Sequence, residues 1–146
     1  MEIVAKNPKE TQRVAEALAQ EILVGRPQKR ALVLALSGEL GSGKTSFVQG
    51  LAKGLGIRAK VKSPSFLLLK QYGVPGREIF LTHLDCYRLN SFEDLESLGF
   101  SDLLADPKNI VALEWAEKVK KYLPKNNTLF LKFEHAGEKS RKIKIQ

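Results

Sequence analysis

Apolar residues fall along this chain in short runs and helical repeats that alternate, and glycine or proline marks most of the joints. Residues 31–36, from Ala31 to Leu36, are apolar without a break and lead straight into glycines, which predicts a strand buried on both faces. From Lys44 onward Phe47, Leu51 and Leu55 recur at helical spacing, with Gly56 placed to close the helix. Near the start, Asn7, Pro8 and Glu10 form an N-cap, a proline at the first helical position and a capping box. The helix they open presents Val14, Leu18 and Ile22 on one face and stops at Gly25.

Residues 66–72 and 79–85 read as strands joined by the turn cluster Gly73, Val74, Pro75 and Gly76, so an antiparallel hairpin is expected. Ser91 is an N-cap for a short helix with an acidic first turn that Gly99 ends. Asn109 to Glu114 is a further strand, and Ala116 to Tyr122 reads as a helix stopped by Pro124. Residues 128–133 and 141–145 flank His135, Ala136 and Gly137 as a C-terminal hairpin. Together these elements predict an α/β fold, a mixed and mostly parallel sheet flanked by helices and carrying antiparallel hairpins.

Composition narrows the class. A chain of 146 residues with 43% hydrophobic and 27% charged residues suits one globular domain, and no linker, repeat or low-complexity tract divides it. The single cysteine, Cys86, excludes an internal disulfide or a CxxC metal site, as a reducing compartment would favour. The start lacks the pattern of a signal peptide and no apolar stretch is long enough to span a membrane, so a soluble, cytoplasmic protein with no membrane partner is expected. The net charge of +8 is uneven: +1 over residues 1–39, +6 over 40–84, −6 over 85–117 and +7 over 118–146. The basic segments would suit a polyanion such as nucleic acid, although Arg58, Lys60 and Lys62 and the cluster Lys139, Arg141, Lys142 and Lys144 carry no interleaved aromatics for base stacking.

The chemistry is concentrated at Gly38, Glu39, Leu40, Gly41, Ser42, Gly43, Lys44 and Thr45, a complete G-x-x-x-x-G-K-[ST] loop between a predicted strand and a predicted helix. Its glycines let backbone N–H groups converge on phosphate oxygens, and the following helix offers its positive end. Lys44 is placed for the β- and γ-phosphates and the Thr45 hydroxyl for Mg2+. Hydrolysis needs carboxylates as well, and two stand at the ends of predicted strands, where ligands gather in open α/β sheets: Asp85 and Glu114. The pattern leaves open which of the two orients an attacking water.

With that loop, Ser63 to Phe66, the run His83, Leu84, Asp85, Cys86, Tyr87 and Arg88, the run Leu95 to Phe100, and the run Glu114, Trp115, Ala116 and Glu117 together resemble the TsaE family. The H-x-D-x-Y-R and E-W-x-E blocks are far more specific than the loop alone. The resemblance implies a P-loop NTPase domain over residues 1–146 that binds ATP and Mg2+. It further implies ATP hydrolysis, weak alone and stimulated by the proteins TsaD and TsaB, in threonylcarbamoyladenosine modification of tRNA next to the anticodon. It places nucleotide at Gly38 through Ser46, metal at Thr45 and Glu114, a catalytic acid at Asp85, and Thr11 and Arg141 near the adenine. Ser63, Pro64 and Ser65 become a switch-like loop near the γ-phosphate. Ser65 stands where the family most often has Thr, and Ser42 where Ala is common; the first keeps its hydroxyl and the second leaves the backbone cradle intact. His83 reads as a packing or hydrogen-bonding histidine at a strand end. A small-molecule kinase would use the same loop but wants more arginines over the phosphates than this chain supplies, and a non-hydrolysing nucleotide-dependent module is the other alternative. No N-K-x-D guanine motif occurs.

Overall fold

The computed structural model describes residues 1–25, 28–63 and 69–146. Seven strands form one sheet: β1 (Glu2–Ala5), β2 (Leu32–Gly38), β3 (Leu69–Gly73), β4 (Phe80–Asp85), β5 (Asn109–Glu114), β6 (Thr128–His135) and β7 (Arg141–Ile145), in the order β1-β7-β6-β2-β5-β4-β3. The inner strands β6, β2, β5 and β4 are parallel neighbours, and antiparallel pairings of β7 with β6, β1 with β7 and β3 with β4 complete the edges. Only β3 and β7 run against the other five, so the mixed, mostly parallel sheet is as the sequence predicts.

Among the described residues four helices flank it: α1 (Pro8–Val24), α2 (Lys44–Gly54), α3 (Phe92–Glu96) and α4 (Phe100–Ala105). Alternation along β2 divides the core between the two faces. Leu34 and Leu36 join Phe47, Val48 and Leu51 of α2 and Ala15 and Ala19 of α1. Val33 and Ala35 face the other way, toward Leu95 of α3, Phe100 of α4 and Val119.

Local chemistry explains most boundaries. Asn7 caps α1 by accepting the Glu10 N–H at 2.9 Å, and Pro8 opens the first turn. The Glu10 carboxylate accepts from the Lys6 N–H at 3.0 Å, so the reciprocal bond lands one residue before the N-cap. Ser91 caps α3 by accepting the Asp94 N–H at 3.1 Å.

Four features depart from the sequence reading. The buried stripe of α1 is Thr11, Ala15 and Ala19, with Val14, Leu18 and Ile22 only half-buried beside it. The cause is close approach by α2: a Cβ on Gly50 would lie 2.4 Å from the Gln12 carbonyl oxygen, and one on Gly54 would lie 2.6 Å from Ala19 Cβ. The short helix opened at Ser91 ends before Gly99, with its last turn at Glu96, and Gly99, at φ 77°, serves in addition as the N-cap of a further helix, α4. Residues 116–122 form two 3-10 turns, Ala116–Lys118 and Lys120–Tyr122, broken at Val119 (φ −124°). So short a segment, with no side-chain cap at its start, does not recover the cost of nucleating an α-helix. Lastly, β1 forms only because β7 offers it a partner. Of the expected strand at 66–72, residues 69–72 lie in β3 and 66–68 fall outside the described residues.

Candidate functional site

The strands β2, β4 and β5 all end at the same edge of the sheet, with Leu36 beside Glu114 and Glu114 beside Asp85 in register. Between β2 and α2 the chain turns through the phosphate-binding loop. Gly38 has φ 140°, and a Cβ there would come within 2.5 Å of the Phe133 carbonyl oxygen, so the loop leaves the sheet through a space only glycine fits. Gly43, at φ 102°, caps α2 without a side chain and leaves the first-turn N–H groups clear.

Lys44 is buried at the floor of the loop. Its ammonium donates to the Gly38 carbonyl, to the Glu39 carbonyl at 2.9 Å and to Ser42 Oγ at 3.5 Å, and sits 4.0 Å from the centre of the Trp115 indole. Burial lowers its pKa, and the negative charges of Glu117, Glu114 and Asp85 oppose that shift. The cation is thus held by neutral dipoles and a ring face, partners that a phosphate oxygen outcompetes by charge-assisted hydrogen bonding.

Glu114, buried at the end of β5, accepts the Thr45 hydroxyl on Oε1 at 2.9 Å and meets His83 Nε2 on Oε2 at 2.5 Å. Asp85, half-buried at the end of β4, accepts the Tyr87 N–H on Oδ1 at 2.9 Å and the Ser63 hydroxyl on Oδ2 at 3.5 Å. The Thr45 hydroxyl and Glu114 carboxylate form an oxygen-only pair beside the loop, a donor set that suits Mg2+, which binds through one or two protein oxygens and completes its shell with water and phosphate. Among the described residues no group of three or more His, Cys, Asp and Glu side chains could cage a metal without such help.

These groups open onto a cleft of about 860 Å³. Leu40, Gly41, Ser42, Gly43, Lys44, Thr45 and Ser46 form one wall; Asn7, Pro8, Lys9 and Thr11 at the start of α1 form another; and Glu138, Lys139 and Arg141 reach in from the β6–β7 turn. Ser63, Asp85, Tyr87, Glu114 and Trp115 complete it. Both outlying positions, Thr11 and Arg141, therefore lie on the cleft. Arg141 donates to the Gly41 carbonyl at 3.1 Å and to the carbonyls of Gly137, Glu138 and Ser140, clamping the loop to the hairpin. Gly38 and Glu39 do not line the cleft and act through the carbonyls that hold Lys44. Of the switch-like segment only Ser63 is described; Pro64, Ser65 and Phe66 lie outside the described residues.

Two contacts escaped the sequence reading. Glu117 accepts the Gly38 N–H at 3.0 Å, tying the turn after β5 to the root of the loop. Trp115, at φ 58°, stacks against Tyr87 with ring centres 4.9 Å apart. The E-W-x-E run marked both residues without saying what they touch.

A strand, a glycine loop and a helix that bury a lysine beside two strand-end carboxylates define a P-loop nucleotide-binding protein. The family model for threonylcarbamoyl adenosine biosynthesis protein TsaE matches residues 5–143. Similar proteins include the tRNA threonylcarbamoyladenosine biosynthesis protein TsaE of Bacillus subtilis, 35% identical over 139 residues (94% of this chain and 79% of the relative). That of Aquifex aeolicus is 32% identical over 146 residues (99% and 94%). The crystal structure of Bacillus subtilis YdiB superposes with a TM-score of 0.71 at 29% identity, covering 98% of this chain and 82% of that one. The chain belongs to the TsaE family, and its role lies in tRNA threonylcarbamoyladenosine biosynthesis.

Proposed function

We propose that residues 1–146 act as one Mg-dependent ATPase domain that works in the cytoplasm with TsaD and TsaB in modifying the tRNA adenosine next to the anticodon. The observation that carries this reading is the meeting of Lys44, Thr45, Glu114 and Asp85 at one end of the sheet. Lys44 exchanges its carbonyl partners for the β- and γ-phosphate oxygens, while α2 directs its open N–H groups at the same charge. Mg2+ held by Thr45 and Glu114 would neutralise charge shared by those two phosphates. Asp85, its Oδ1 fixed by the Tyr87 N–H, keeps Oδ2 in reach of the cleft to orient a water or take its proton. ATP is favoured over GTP by the missing N-K-x-D motif.

The one arginine on the cleft, among the described residues, gives its Nε and Nη1 N–H groups to four carbonyls, which tie it to the loop and to the β6–β7 turn. A guanidinium held in this way is not free to swing onto charge developing on the γ-phosphate, and a group that does so contributes about 10³ to 10⁵ in rate. Slow turnover alone and stimulation by the partner pair follow. Purified TsaD–TsaB titrated into the protein with ATP, with ADP and without nucleotide tests this through phosphate release and complex formation. Partner-stimulated release and nucleotide-dependent association are expected. A rate and an association unaffected by partner and nucleotide in every combination refute the ATPase and partner reading.

A further inference from the structure

His83 is fully buried in β4, two residues before Asp85. Its Nε2 lies 2.5 Å from Glu114 Oε2, while its Nδ1 is buried with no hydrogen-bond partner among the described residues. A carboxylate oxygen accepts, so the contact assigns the proton between the two to Nε2, and Nδ1, with no acceptor among the described residues, is left its lone pair. The other neutral tautomer would set two lone pairs against each other at 2.5 Å and bury an unpaired N–H as well. Glu114 therefore has its two oxygens assigned different work: Oε2 is bound inward to the imidazole, and Oε1 alone meets Thr45 at the cleft.

We propose that His83 is a positioning residue that makes Glu114 a one-oxygen ligand and so biases the site toward Mg2+ and against Ca2+. This rests on the reading of Thr45 and Glu114 as the metal-holding pair. Mg2+ demands near-ideal octahedral geometry, which a single carboxylate oxygen, a hydroxyl, phosphate oxygens and water satisfy. Ca2+ accepts six to eight oxygens and fills that larger shell in part by taking carboxylates in bidentate as well as monodentate fashion; the bidentate mode at Glu114 would require Oε2 to leave His83. Partners that orient a metal ligand typically govern about 10-fold to 100-fold in metal affinity.

The test compares wild type with His83→Leu, which fills the space without a donor, and His83→Gln, which restores an N–H donor. Binding of a fluorescent ATP analogue is followed in Mg2+, in Ca2+ and in EDTA, with thermal unfolding to report folding. Imidazole nitrogen NMR of the metal-free wild type, which has only His83 and His135 to assign, reads the tautomer. Expected are an Nε2–H tautomer for His83 and, in His83→Leu, a Mg2+ requirement raised about 10-fold to 100-fold. Ca2+ should then support binding better relative to Mg2+, affinity in EDTA should stay at the wild-type level, and His83→Gln should restore the Mg2+ preference. A folded His83→Leu with the wild-type Mg2+ requirement and Mg2+-to-Ca2+ preference, or an Nδ1–H tautomer, overturns the proposal. Should neither variant fold, the tautomer decides. Wild-type binding that ignores Mg2+ altogether would instead bring down the metal-site reading, and this inference with it.

Discussion

Replacing Gly50 by alanine sets two effects against each other, and the structure decides between them. In a helix interior alanine is preferred to glycine by about 0.5–1 kcal/mol, so the local expectation is stabilisation. In this fold the new Cβ would lie 2.4 Å from the Gln12 carbonyl oxygen, 2.5 Å from its Cα and 2.8 Å from its carbonyl carbon. All three are backbone atoms of α1, so no side-chain rotation relieves the clash, and reaching ordinary contact at 3.4 Å requires the helices to part by roughly 1 Å. Overpacking of this kind costs about 1–3 kcal/mol, and the rigid neighbours place Gly50 at the upper end. Subtracting the propensity gain leaves a loss of about 2 kcal/mol. For a chain of this size that lowers the unfolding midpoint by about 6 °C. The same displacement separates Thr11 and Pro8 of α1 from Lys44 and Thr45 of α2 across the cleft, so nucleotide affinity should fall along with stability. Urea and thermal unfolding of Gly50→Ala, with nucleotide titration of the folded variant, measure both. A variant as stable as wild type, or more so, would show that the α1–α2 contact yields freely and that the cost assigned to it is wrong.

Lys44→Ala should abolish nucleotide binding measured by calorimetry, because it removes the buried cation that faces the phosphates. Asp85→Asn should keep nucleotide affinity within a few-fold and depress turnover at saturating ATP, whereas Glu114→Gln should also weaken the Mg2+ dependence; normal hydrolysis by Asp85→Asn would reduce Asp85 to a structural acid. Burial, with the negative charge of Asp85 adding to it, pushes the Cys86 thiol from its ordinary 9.0 up to about 12. A thiol reagent at pH 8 should therefore modify Cys86 only after urea unfolds the chain. Because the folded state holds this proton more tightly than the unfolded state, its contribution to stability is complete below pH 9.0 and is lost as pH rises toward about 12. Cys86→Ala should flatten that part of the stability profile, as followed by urea midpoints across the range.

Sequence alone determined the features set by neighbouring residues: the caps at Asn7 and Ser91, the limits of β5 and α2, and the loop that must join β2 to α2. These depend on hydrogen bonds and steric limits within a few residues, which the chain displays directly. Asp85 and Glu114 could be placed at strand ends in the same way, but not beside each other, since that follows from β4 and β5 pairing in parallel. The stripe of α1 was misread by one position because its burial is set by two glycines on another helix rather than by its own apolar residues. Likewise β1 exists only as an edge partner of β7. The most consequential contacts, His83 on Glu114 and Glu117 on the Gly38 N–H, join residues far apart in the chain. Their meeting depends on strand order and on which face each side chain takes, and those are decided only when the sheet assembles.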